Sequence, residues 1–71
     1  MTELGLFLER KSVNKAEIAK KTGISKSRLS ELTLKPSAHL RARELYLIAL
    51  AIDADPCEML KEFYKDIQLN K

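Results

Sequence analysis

Cysteine and histidine are nearly missing from this chain: Cys57 and His39 are its only examples. A single cysteine excludes an internal disulfide. One Cys with one His cannot complete a Cys/His zinc site, so no metal is expected. There is no Gly-rich phosphate loop, no carboxylate pair at an acid/base spacing and no Ser/His/Asp signature. The sequence is therefore read as a non-enzyme with no catalytic residues and no cofactor. No apolar run approaches the ~20 residues that span a bilayer. In MTELGLFLERK, Glu3 precedes the apolar residues and basic residues follow them, the wrong order for a signal peptide. A free thiol suits a reducing compartment. These features lead to the expectation of a cytoplasmic protein with no membrane association.

What is present is charge and helical periodicity. The 71 residues carry a net charge of +3. Residues 1–35 hold eight basic and four acidic side chains, a balance of +4, and residues 36–71 hold five and six, a balance of −1. A basic half beside a near-neutral half points to a face for a polyanion, although an ordinary solvated helical surface gives the same numbers. No linker or internal repeat interrupts the chain, and 1–71 is read as one domain. A domain this small must rely on efficient helix packing or self-association.

Five helices are expected and no strand, which makes the fold class all-α. Thr2 caps a first helix over Glu3–Lys11, with Leu4, Phe7 and Leu8 on one stripe. Gly5 weakens that helix unless a neighbour must come close. Asn14 and Glu17 resemble a capping box for a second helix over Lys15–Thr22. Gly23 suits a left-handed turn. Ser25 then caps a third helix over Lys26–Thr33. Leu34–Leu40, with Pro36 and His39, reads as a loop. The fourth helix starts near Arg41 or Ala42 and ends near Ile52; its apolar residues cover most of its circumference, so it is expected at the centre of the domain. Asp53 falls in the turn that ends it. Asp55-Pro56-Cys57-Glu58 is a strong helix start, and the fifth helix is expected over Pro56–Ile67. Cys57 is read as a small buried filler. The tail Gln68–Lys71 is expected to fray.

The pattern from Ala16 to Leu32 is helix, turn of residues 23–25, helix. Ala19 is small enough for a close crossing, Gly23 makes the turn, and Leu29 and Leu32 seat the third helix on the core. Ser25, Lys26, Ser27, Arg28, Ser30 and Glu31 remain on the outer arc. Short serines allow close approach to a surface. Lys26 and Arg28 have the reach to contact guanine or phosphate. A plain αα-hairpin with a solvated polar face is the alternative reading of the same residues.

The stretch NKAEIAKKTGISKSRLSEL resembles the helix-turn-helix of the lambda-repressor-like, Xre/Cro-type transcriptional regulators. ELYLIALAIDADPCEML resembles the fourth helix, turn and fifth helix of the same family, through Ile48-Ala49, Ala51, Asp53, Asp55 and Glu58. The resemblance spans about Leu4 to Leu60. It implies a compact five-helix fold, entry of the third helix into the major groove of double-stranded DNA, and homodimeric binding to a palindromic operator. Carried onto this sequence, it implies a DNA-binding set of Lys15, Ser25, Lys26, Ser27, Arg28, Glu31 and Lys35. Lys15 would touch a phosphate or support the third helix, and Lys35 occupies a backbone-contacting loop position. The setting it implies is a prokaryotic nucleoid or a phage or mobile element.

Three places depart from the family pattern. Thr22 stands where an apolar residue is common, Glu31 where a basic or polar one is usual, and TLKPSAHL replaces an Asn-Gly continuation. The expected function is a sequence-specific regulator, a repressor. The alternative is an antitoxin-like or adaptor protein whose main partner is another protein, such as a toxin. Phe63, Tyr64 and Ile67 extend the last apolar stripe beyond what a short helix must bury, and they are expected at a dimer interface.

Overall fold

A computed structural model describes residues 1–70 of the chain. It is all-α, with α1 (Glu3–Arg10), α2 (Lys15–Thr22), α3 (Lys26–Leu34), α4 (Ala42–Ala51) and α5 (Pro56–Phe63). Among the described residues no helix is long and apolar enough to cross a membrane. Lys71, the end of the tail expected to fray, lies outside the described residues.

Each helix contributes a narrow stripe to one core. Leu4 and Leu8 come from α1, Ile18 from α2, Leu29 and Leu32 from α3, Leu45, Ile48 and Ala49 from α4, and Met59 from α5. Leu29 and Ile48 are fully excluded from water. Burying an aliphatic side chain of this size stabilises by roughly 1.5–3 kcal/mol. In the main packing contacts, α1 lies on α3, α2 on both α3 and α4, and α5 on α4. α4 buries Leu45, Ile48 and Ala49 but is not enclosed as its sequence suggests: two of its apolar residues, Tyr46 and Leu50, are more than half exposed. They are four residues apart and share its outer face.

Side-chain caps set the helix starts. Thr2 accepts from the Gly5 N–H at 3.1 Å, Asn14 from Ala16 at 2.7 Å, Ser25 from Arg28 at 3.1 Å and Asp55 from Cys57 at 2.9 Å. Thr2 does a second job. Its hydroxyl donates to the Leu32 carbonyl at 2.6 Å and its N–H to the Thr33 carbonyl at 3.0 Å, which ties the start of α1 to the end of α3. Gly5 faces that junction. A Cβ there would run into the Thr33 carbonyl oxygen and the Met1 side chain, so glycine is required by proximity and not by backbone conformation.

The end of α5 departs from its periodicity. The helix stops at Phe63, four residues short of Ile67, and Tyr64 continues into a turn closed by the Ile67 N–H on the Tyr64 carbonyl at 3.0 Å. Most helical stability comes from packing, and beyond Phe63 the chain has little left to pack against: Ile67 is 71% and Leu69 93% exposed. The buried stripe is also narrower than the apolar pattern. Met59 is buried and Phe63 half-buried, whereas Leu60, one step (100°) around the helix, is half exposed. Cys57, expected to be buried, is exposed for the same reason: two residues before Met59 it points the other way. Elsewhere the differences are single residues. α1 ends at Arg10, α3 includes Leu34 and α4 stops at Ala51.

Gly5→Ala tests the α1–α3 junction. Alanine gains up to ~1 kcal/mol of helix propensity, but crowding a packed site costs typically ~1–3 kcal/mol. The carbonyl it meets is pinned by the Thr2 N–H, so the expected outcome is net destabilisation of about 1–2 kcal/mol in urea unfolding. A variant as stable as the parent would show that the junction opens at little cost.

Candidate nucleic-acid interface

The α2–α3 connection is fixed by one backbone conformation and two side-chain hydroxyls. Gly23 has φ 80°, in the left-handed region, and its N–H donates to the Ala19 carbonyl at 2.9 Å. Thr22, the departure from an apolar position, closes the turn from both sides: its hydroxyl donates to the Ile18 carbonyl at 2.7 Å and accepts from the Ile24 N–H at 3.1 Å. Ser25 then caps α3. The hydroxyl thus replaces apolar packing with two hydrogen bonds, and α3 leaves the turn in a defined direction.

The expected site residues fall into groups. Lys26 and Ser27 are exposed on the first turn of α3, and Glu31 is exposed one turn further along. Ser25 is exposed too, but its oxygen is engaged as the cap. Lys15 is half-buried at the other end of α3, where it borders a recess with Val13, Thr33 and Leu34. Lys35 is the C-cap residue of α3 and is exposed. Basic groups therefore stand at both ends of a nine-residue helix, which is ~13 Å long at 1.5 Å per residue.

Arg28 is placed differently from the expectation. Its guanidinium is not free on the outer arc. Nε donates to Glu44 Oε2 at 2.8 Å, and Nη2 donates to Glu44 Oε1 at 3.1 Å and to the His39 carbonyl at 2.8 Å. Glu31 Oε1 lies 3.9 Å from Nη1. Glu44 is buried on the first turn of α4 and also accepts the Arg41 backbone N–H at 2.9 Å. That last bond is the return half of a capping arrangement, since Arg41 has no acceptor of its own with which to cap α4. The Arg28 hydrogen bond holds the Glu44 carboxyl below its ordinary pKa, against the opposing effect of burial. The same bond raises the Arg28 guanidinium above its ordinary value.

Two residues that the sequence reading left unassigned join this end of the site. Arg41 and Arg43 are exposed at the start of α4, around a recess they share with Ile24, Ser25, Arg28 and Glu44. They belong to the half of the sequence whose net charge is slightly negative. The signal that could have found them is the RAR triplet just ahead of an apolar helix.

Known proteins add no constraint on this geometry: no family model, no curated protein and no solved structure matches the chain.

The depressed Glu44 pKa gives a test of the Arg28–Glu44 pair. A carboxyl lowered by folding contributes stability above its unfolded pKa of ~4.3, and that stability is lost as pH falls through the lower folded value. Wild type should exceed Glu44→Gln in stability at pH 7, and the gap should shrink on acidification toward pH ~3. Urea unfolding at both pH values measures it. A gap that stays constant or widens in acid would contradict the pairing.

Proposed function

We propose that the chain is a sequence-specific double-stranded DNA-binding protein of the lambda-repressor-like, Xre/Cro type, acting as a transcriptional regulator. The observation that carries this reading is the α2–turn–α3 unit with an exposed, polar first turn on α3 and basic side chains at both of its ends. An α-helix with its side chains is ~10–12 Å across and fits a major groove ~12 Å wide, and the cations at the two ends of α3 suit the phosphates of its walls. Lys26, Ser27 and Glu31 are the residues that face bases. Lys26 suits guanine O6/N7 and Glu31 suits the cytosine amino group. Lys15, Lys35, Arg41 and Arg43 supply phosphate contacts, which fix position and carry most of the affinity. Ser25 acts through the cap. No cofactor or metal enters this function, and the protein is not an enzyme.

A homodimer on a palindromic operator would set two α3 helices ~34 Å apart on one face of the duplex. Its surface is Tyr64 and Ile67 together with Leu60, all exposed. Phe63 does not belong to it. That ring is half-buried and meets Phe7 edge-on, with centroids 5.6 Å apart. A second reading, an antitoxin-like or adaptor protein of the same fold, is favoured by Tyr46 and Leu50, at 55% and 57% exposure on the outer face of α4.

Fluorescence anisotropy with random duplex DNA separates the two readings. DNA binding predicts affinity that falls steeply with salt. Arg41→Ala and Arg43→Ala should each weaken binding to all sequences alike and lower the log–log salt slope by ~0.9. Lys26→Ala should change base preference. Absence of binding at low salt would leave the protein-partner reading.

Self-association has its own test. Ile67→Glu should abolish dimers in sedimentation velocity while leaving the unfolding free energy of the monomer within about 0.5 kcal/mol of wild type, as for other surface changes. Dimers that survive this substitution would exclude the α5 end as the interface.

A further inference from the structure

Resting on the DNA-binding reading, we propose that Arg28 and Glu44 are a positioning pair that locks the first turn of α3 to the first turn of α4, so that Lys26 and Ser27 dock as one rigid body with Arg41 and Arg43, and Arg28 itself reads no base.

The geometry carries this. Three of the guanidinium's donor bonds are taken, two by Glu44 and one by the His39 carbonyl, on the side of α3 that faces α4. Two parallel N–H···O bonds between guanidinium and carboxylate fix orientation as well as distance. Glu44 is buried, and its Oε1 also holds the Arg41 N–H. One carboxylate therefore sets both the α3 contact and the backbone from which the Arg41 side chain springs. To reach a base, Arg28 would have to leave a buried carboxylate without its cation, which is costly. Glu31, 3.9 Å away, adds a second negative charge that holds it back. The connection between the two helices, Lys35–Arg41, has no regular structure of its own. Without the pair, the distance between the reading edge and the arginines would rest on apolar packing and on a connection closed by one turn hydrogen bond, from the Ala38 N–H to the Lys35 carbonyl at 3.0 Å. Docking surfaces lose affinity steeply when their contact groups are displaced by even ~1 Å.

The test uses the full chain, duplex DNA carrying its selected site, and random duplex. Arg28→Ala, Glu44→Ala, the double variant and Arg28→Lys are compared at a temperature where circular dichroism shows each fully folded. Both alanine variants should bind ~10-fold or more weakly, the scale of one coupled contact. The double variant should be no worse than the weaker single. The salt slope should fall by ~1–2 as the Arg41 and Arg43 contacts lose register, at ~0.9 per phosphate. The base preference of what still binds should be unchanged, and Arg28→Lys should restore only part of the affinity, since an ammonium cannot bond in two parallel directions.

Two results would overturn the proposal. In one, Arg28→Ala relaxes preference at a single base pair while Glu44→Ala binds as well as wild type or better, which would make Arg28 a reader. In the other, the folded variants keep wild-type affinity and slope, which would make the pair purely structural. Wild-type protein that binds no DNA would instead overturn the function on which the proposal rests. In that case the Arg28 Hε resonance still reports whether the two side chains are joined: slow exchange, lost in Glu44→Ala, shows the pair without its proposed role.

Discussion

A chain this small has room for one core, and every helix must bring its stripe to it. Ile18, Leu29, Ile48 and Met59 come from four different helices and are each at most 2% exposed. No disulfide reinforces this contact, because Cys57 is the only cysteine. Helix orientation is thus set by which few side chains fit together at the centre. The α2–α3 unit depends on the same contact: Ile18 and Leu29 lie on either side of the turn, at 2% and 0% exposure. The turn residues shape the corner, but core burial keeps it closed.

Polar groups do what the core cannot, which is to fix the ends of helices relative to one another. Thr2 ties α1 to α3, Thr22 closes the α2–α3 corner, and Glu44 joins α3, the His39 segment and α4 through Arg28. All three are side chains that bond to another element or to the backbone just beyond their own helix. Hydrogen bonds of this kind contribute modestly each, ~0.5–1.5 kcal/mol, but they are directional where apolar contact is not. The result is a division of roles, with leucine and isoleucine supplying cohesion while threonine, glutamate and arginine supply angle.

That division explains what was legible in the sequence. Helix starts were readable because a cap lies within three residues of what it caps, as with Asn14, Ser25 and Asp55. Gly23 was readable for the same local reason. The end of α5 was not, because Phe63, Tyr64 and Ile67 continue the apolar period even though the fold leaves Tyr64 39% and Ile67 71% exposed. Periodicity states which face would be buried if a neighbour exists; it does not state whether one does. Cys57 and Leu60 illustrate the same limit, since Cys57 points away from the narrow stripe that α4 covers and Leu60 lies at its edge.

Arg28 marks the deeper limit at the candidate site. On a helical projection it lies about 40° from Leu32 and about 100° from Ser27, at the border of the Leu29–Leu32 stripe, and a one-helix reading assigns it by its charge to the outer arc. Its partner is sixteen residues away, on another helix, and no local pattern links them. Counting charge by sequence halves fails for the same reason. It credits the α3 end of the face with Arg28, which Glu44 largely neutralises, and omits Arg41 and Arg43, which the fold brings alongside. Correcting both moves free positive charge from the first turn of α3 to the start of α4 beside it. On the proposed DNA-binding reading, Arg41 and Arg43 meet phosphates while Lys26, Ser27 and Glu31 face bases. On that reading the exposed Ser27 and Glu31, which add no positive charge, discriminate among bases without holding every sequence equally tightly.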